Sequence, residues 1–172
     1  MKALLSEDQY QELYRTLPQK MQEINTETIH TTRYRPGDVR LRKSPKTLEL
    51  VCKEGDVTKI ARKEIKIPLD STETVDHMAF VLDMLQFKAD PPWTKHKKEY
   101  TFHYRGFDYV VCLQHIEKFA YILEVEFLSD KDDSAIHEPN LRAIIKYLGA
   151  EPINPQDFSE KIKRYIKENK VD

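Results

Sequence analysis

Glycine is scarce in this chain. Only Gly37, Gly55, Gly106 and Gly149 occur, each beside a turn or at a predicted helix end. A P-loop or a Rossmann phosphate loop needs glycines close together, so neither can be built from them. The two cysteines, Cys52 and Cys112, are far apart and lack metal-type spacing. With no secretory signal in view, they predict free thiols in a reducing, cytoplasmic setting. The six histidines are scattered, with no HExxH and no zinc-type pairing, and no G-x-S-x-G is present. No apolar run reaches membrane-spanning length. There is also no excess of either charge, with 28 basic residues against 29 acidic. That balance gives no support to nucleic-acid binding by bulk charge, and it leaves room for a local basic site.

What the chain has is charge, at 33% of its residues, placed in a pattern. Its length fits a single domain, residues 1–172. Ser6, with Gln9 in capping-box position, opens a first helix carrying Tyr10, Leu13 and Tyr14, which Pro18 should end or kink. Strand-favouring residues run from Glu27 to Tyr34. Further strands are predicted near Val39–Lys43, Thr47–Lys53 and Ile60–Pro68, separated by Ser-Pro and Glu-Gly-Asp turns. A second helix follows from Val75, Met78, Ala79, Leu82 and Leu85 at helical spacing. Strands then fall near Lys95–His103, Phe107–Leu113 and Ile122–Phe127. Helices near Asn140–Leu148, stopped by Gly149, and Gln156–Lys167 finish the chain. About seven strands and four helices in this order predict an α+β fold with a largely antiparallel sheet.

Strand side chains alternate between faces. Arg40 and Arg42 therefore share a face, as do Glu49, Val51 and Lys53, then Arg62, Glu64 and Lys66, then Lys95, Lys97 and Glu99. Glu124 and Glu126 share another, roughly 6.5 Å apart. The opposite faces are mainly apolar. Two arrangements fit: a sheet whose wet face is solvated, or a curled sheet whose charged side engages a ligand. Bases opposite paired carboxylates suit a polyphosphate with a divalent cation. Arg and Lys hold phosphate oxygens, and carboxylates hold the metal.

At this point the chain resembles the CYTH family. These triphosphate tunnel metalloenzymes include class IV adenylyl cyclases, thiamine triphosphatases and inorganic triphosphatases. "LQHIEKFAYILEVE", Leu113 to Glu126, resembles the family pattern L-D-x-V-x-x-L-G-x-F-x-E-I-E in spacing. "RLR" is similar to L-R-x-R, "LELVCK" to a strand ending in lysine, and "ARKEIKI" to R-x-E. "KHKKEY" is similar to K-x-R-x-x-Y, and "NLRAIIKYLGAEP" to the late helix with its L-G ending. The motifs keep the family's order from about Lys2 to Tyr165.

The resemblance implies an antiparallel eight-stranded β-barrel, a tunnel with flanking helices. It implies that Lys2, Arg40, Arg42, Lys53, Arg62, Lys95 and Lys97 hold phosphates. It also implies that Glu124 and Glu126 ligate Mg²⁺ or Mn²⁺ and carry catalysis, with Glu64 a further metal candidate. The activity implied is hydrolysis of inorganic triphosphate, thiamine triphosphate or a nucleoside triphosphate. The alternatives are a class IV-type cyclase making cAMP from ATP and a polyphosphate- or nucleotide-binding module without turnover. The expected partner is a small-molecule triphosphate, with no membrane. The chain departs from the pattern in four places. The acids of the first-strand E-x-E-x-K are absent before Lys2, either through a truncated start or through loss. Gln114 replaces an aspartate, Lys97 an arginine and Ala120 a glycine. Fewer carboxylates imply weaker metal binding.

Overall fold

The computed structural model describes residues 1–55, 63–129 and 134–169. Nine strands and four helices are present among them: β1 (Lys2–Leu5), α1 (Glu7–Lys20), β2 (Gln22–Arg35), β3 (Val39–Lys43), β4 (Leu48–Lys53), β5 (Glu64–Pro68), α2 (Thr72–Met84), β6 (Lys88–Ala89), β7 (Trp93–Tyr104), β8 (Phe107–Ile116), β9 (Ala120–Glu126), α3 (Ser134–Tyr147) and α4 (Pro155–Glu168). The fold is α+β with an antiparallel sheet in the order β1-β9-β8-β7-β2-β3-β4-β5, and the two-residue β6 pairs with β2 off this path. Two of the nine, β1 and β6, are too short to show periodicity. The path ends at β1 and β5, so the sheet is not closed among the described residues. Pro18 does not end α1, which runs on to Lys20. The chain divides into two compact units, one of Met1–Glu27 with His96–Asn154, the other of Thr28–Lys95 with Pro155–Asp172.

In the first unit, β1 pairs with β9 and β9 with β8, placing Lys2, Glu124 and Cys112 in line across three strands. Residues directly opposite share a face, so the register fixes two sides. The apolar side carries Ala3, Leu123, Val125, Leu113 and Val111, all fully buried. α1 covers it with Tyr10, Leu13 and Leu17, and α3 with Leu141, Ile144 and Ile145. Each aliphatic side chain taken from water there contributes roughly 1.5–3 kcal/mol. The capping box starts α1 as expected: Gln9 N donates to Ser6 Oγ at 3.2 Å and Ser6 N to Gln9 Oε1 at 2.9 Å. Gly149 takes φ +77° just after α3, a left-handed conformation that favours glycine, and Ala150 N returns to Ile145 O.

In the second unit, β3 lies between β2 and β4, and β4 pairs with β5. Leu41, Leu50 and Tyr34 pack under Val75 and Leu82 of α2. The other side carries Arg40, Arg42, Glu49, Lys53 and Glu64, brought together by register: Arg42 opposite Glu49, and Lys53 opposite Glu64. No helix among the described residues is long and apolar enough to cross a membrane.

Candidate functional site

The charged face of the first unit gathers Lys2, Lys97, Glu99, Glu124 and Glu126. Strand alternation supplies the side chains and register supplies their neighbours. The Lys2 ammonium pairs with Glu124 Oε1, and Gln114 Nε2 donates to Glu124 Oε2 at 2.7 Å. Glu124 and Glu126 interact directly. The charge of Glu124, and then burial, push the Glu126 carboxyl from an ordinary 4.5 up to about 7. Lys97 Nζ sits 2.6 Å from Glu99 Oε1, with both side chains largely buried. Asn25 donates to the other Glu99 oxygen at 2.9 Å. Burial opposes the Lys97 charge, but Cys112, Glu99 and Glu126 outweigh it and raise its pKa. Burial likewise opposes the Glu99 anion, yet the hydrogen bonds from Lys97 and Asn25 leave it lowered.

The second unit holds Arg40, Arg42, Lys53 and Glu64 on one face. Arg40 forks onto Asp38, Nε to Oδ1 at 2.7 Å and Nη2 to Oδ2 at 2.9 Å. Arg42 Nη1 reaches Glu49 Oε1 at 2.9 Å. The Lys53 ammonium pairs with Glu64 Oε2, and Lys66 Nζ approaches Glu64 Oε1 at 3.4 Å. Burial lowers the Lys53 pKa, and the nearby Arg40 and Arg42 lower it further against the opposing hydrogen bond of Glu64. Burial pulls the Glu64 carboxyl up, but Lys53, Arg42 and Lys66 outweigh it, so its pKa is lowered. Lys95, half-buried on β7, belongs to this unit. Arg62 lies outside the described residues.

The structure thus groups Lys2, Lys97, Glu124 and Glu126 in one cluster and Arg40, Arg42, Lys53 and Glu64 in another. It also supplies the acids that sequence reasoning left unassigned: Asp38, Glu49 and Glu99. Alternation already put Glu49 and Glu99 on the charged faces. Asp38, in a turn, had no periodic signal, and its role became visible only through its contact with Arg40.

Among the described residues, no group of three or more His, Cys, Asp or Glu could hold a metal ion. The donor set is a pair of carboxylates, Glu124 and Glu126, whose mutual repulsion a cation would relieve. A pair fits Mg²⁺ or Mn²⁺ bound through one or two carboxylates, with phosphate and water oxygens completing the shell.

No protein-family model and no curated protein matches the chain. Solved structures do. A protein from Pyrococcus horikoshii is similar at 21% identity and TM-score 0.67, covering 87% of this chain and 89% of that one. A candidate adenylate cyclase from Vibrio parahaemolyticus is similar at 11% identity and TM-score 0.65, covering 88% and 87%. A Hippeastrum protein, described as a candidate adenylyl cyclase with a dominant triphosphatase activity, is similar at 13% identity and TM-score 0.56, covering 87% and 86%. These likenesses establish a shared fold over nearly the whole length of each chain.

Proposed function

We propose that this protein is a triphosphate-processing enzyme of the CYTH type, with residues 1–172 as its single domain, and that it hydrolyses a small-molecule triphosphate with Mg²⁺ or Mn²⁺. One observation carries the reading: two carboxylates, Glu124 and Glu126, held against each other and beside Lys2 and Lys97 on one face, where the charge of Glu124 and then burial push Glu126 up to about 7. Such a juxtaposition is unfavourable without a ligand of mixed charge, and a metal-bound triphosphate is one. Glu124 and Glu126 would hold the cation, which when bound neutralises phosphate charge and polarises phosphorus. Lys2 and Lys97 would take phosphate oxygens as point charges. By the family resemblance Arg40, Arg42, Lys53, Lys95 and Arg62 would also bind phosphate, and Glu64, paired with Lys53 within the second unit, would be a further metal candidate. These cations stabilise the charge spread over the phosphoryl oxygens in the transition state. A cytoplasmic setting belongs to the same reading.

Two alternatives have their own support. The name of the Vibrio protein favours a cyclase, in which a ribose hydroxyl attacks the α-phosphate. Among the described residues no third metal-ligating side chain converges with Glu124 and Glu126, which favours a binding module without turnover. Phosphate release from tripolyphosphate, thiamine triphosphate and ATP with each metal, with cyclic product assayed in parallel, separates the three. Hydrolysis is expected, and it should fall by at least about a hundredfold in E124Q/E126Q. An unchanged rate in that variant sinks the site assignment. Stabilisation by triphosphate with no product favours the binding module.

A further inference from the structure

The acids beside the arginines are not equivalent. Glu49 meets one nitrogen of Arg42, at 2.9 Å. Asp38 instead takes the Nε edge of Arg40 in two parallel hydrogen bonds of 2.7 and 2.9 Å. The Asp38 side chain is only 4% exposed, and its backbone oxygen accepts from Lys53 N at 3.0 Å. The residue is therefore held at two points, its carboxylate by Arg40 and its backbone by Lys53. The Arg40 guanidinium also lies over the ring of Trp93, 6.0 Å from its centroid. A plane gripped on one edge and backed by an aromatic face has little rotamer freedom left. Nη1 and the second hydrogen of Nη2 form the edge that Asp38 does not use. A guanidinium has two such forks, and each matches two oxygens of a phosphate. Arg40 and Arg42 lie close enough to Lys53 for both of their charges to be felt there.

We propose that Asp38 is a positioning residue, which with Trp93 holds Arg40 so that its second fork is presented to a phosphate oxygen of the substrate. This rests on the triphosphate reading above, and it assigns Asp38 a part that opposes its charge. A carboxylate next to an anion site should weaken anion binding by simple electrostatics. Its removal should therefore tighten binding if neutralising Arg40 is all that it does. Positioning predicts the opposite sign. Freeing an ordered, rotamer-rich side chain loosens binding by between about twofold and tenfold.

The experiment is a calorimetric titration of the full chain with tripolyphosphate, repeated for D38N, R40A and D38N/R40A, with thermal unfolding of each. D38N should weaken binding by about twofold to tenfold, and should have no further effect in the R40A background. A purely structural role for Asp38 would lower the unfolding temperature and weaken binding equally in both backgrounds, which overturns the inference. Unchanged or tighter binding by D38N overturns it too, even where R40A is weakened. W93F, which keeps an aromatic face, should bind as the unaltered protein does, and W93A should resemble D38N. No uptake of tripolyphosphate by the unaltered protein would instead overturn the triphosphate reading, and this inference with it.

Discussion

Replacing Glu126 by glutamine removes a carboxyl whose ionisation the fold resists. Its pKa stands near 7 in the folded chain against an ordinary 4.5, chiefly because Glu124 is already charged beside it, and then because it is buried. Between those values the folded state binds a proton that the unfolded state has released. Stability must therefore fall as pH rises through this window. At about 1.36 kcal/mol per pH unit, the full window is worth roughly 3 kcal/mol. Glutamine resembles the protonated acid and carries no such penalty. Urea unfolding followed by far-UV circular dichroism should give nearly equal stabilities for the two proteins at about pH 4, and E126Q ahead by roughly 3 kcal/mol at about pH 8. Mg²⁺ at the higher pH should stabilise the unaltered protein and leave E126Q almost unmoved. A stability difference that stays constant across the range would refute the repulsion on which the site reading depends.

Other perturbations test separate parts of the structure. Lys97→Met removes a cation that helps to hold the Glu126 carboxyl down, so the Glu126 pKa should climb further, read by carboxyl carbon NMR across a pH series. Leu123→Ala opens a cavity at a fully buried position between sheet and helices. It should cost about 2–5 kcal/mol in denaturant unfolding. Tyr109→Phe deletes the hydroxyl that accepts from Asn140 Nδ2 at 2.9 Å and meets His137 Nδ1 at 2.9 Å in the interior. With those partners left behind, the loss should be about 1–3 kcal/mol by the same measurement.

Much of the fold was legible because strand alternation and helix periodicity are local signals. β3 was predicted at the observed Val39–Lys43, and the faces of β4 and β9 were assigned correctly. β2 was cut short: Gln22–Thr26 carries no apolar alternation, since most of this stretch is exposed. α3 begins at Ser134 rather than Asn140 and runs through Pro139, although a proline at such a place usually argues for a helix end. The site was harder to read. Alternation says which side chains share a face of one strand, but not which residues lie opposite on the next. Glu49 was therefore visible as a charge but not as the partner of Arg42 on the neighbouring strand, whereas Lys97 and Glu99 share one face of β7, where alternation alone brings them together. Asp38 became a partner only once the turn before β3 folded it back onto Arg40.

The two thiols have a consequence of their own. Cys112 lies fully buried in the first unit, and burial, then the charges of Glu126 and Glu124, push its pKa strongly upward. Alkylation requires the thiolate, so Cys112 should react with a maleimide only while its strands are open. Cys52 belongs to the second unit and is half-buried. Each unit therefore carries one native reporter. The two labelling rates, followed by mass spectrometry, would show whether the units open together or one at a time.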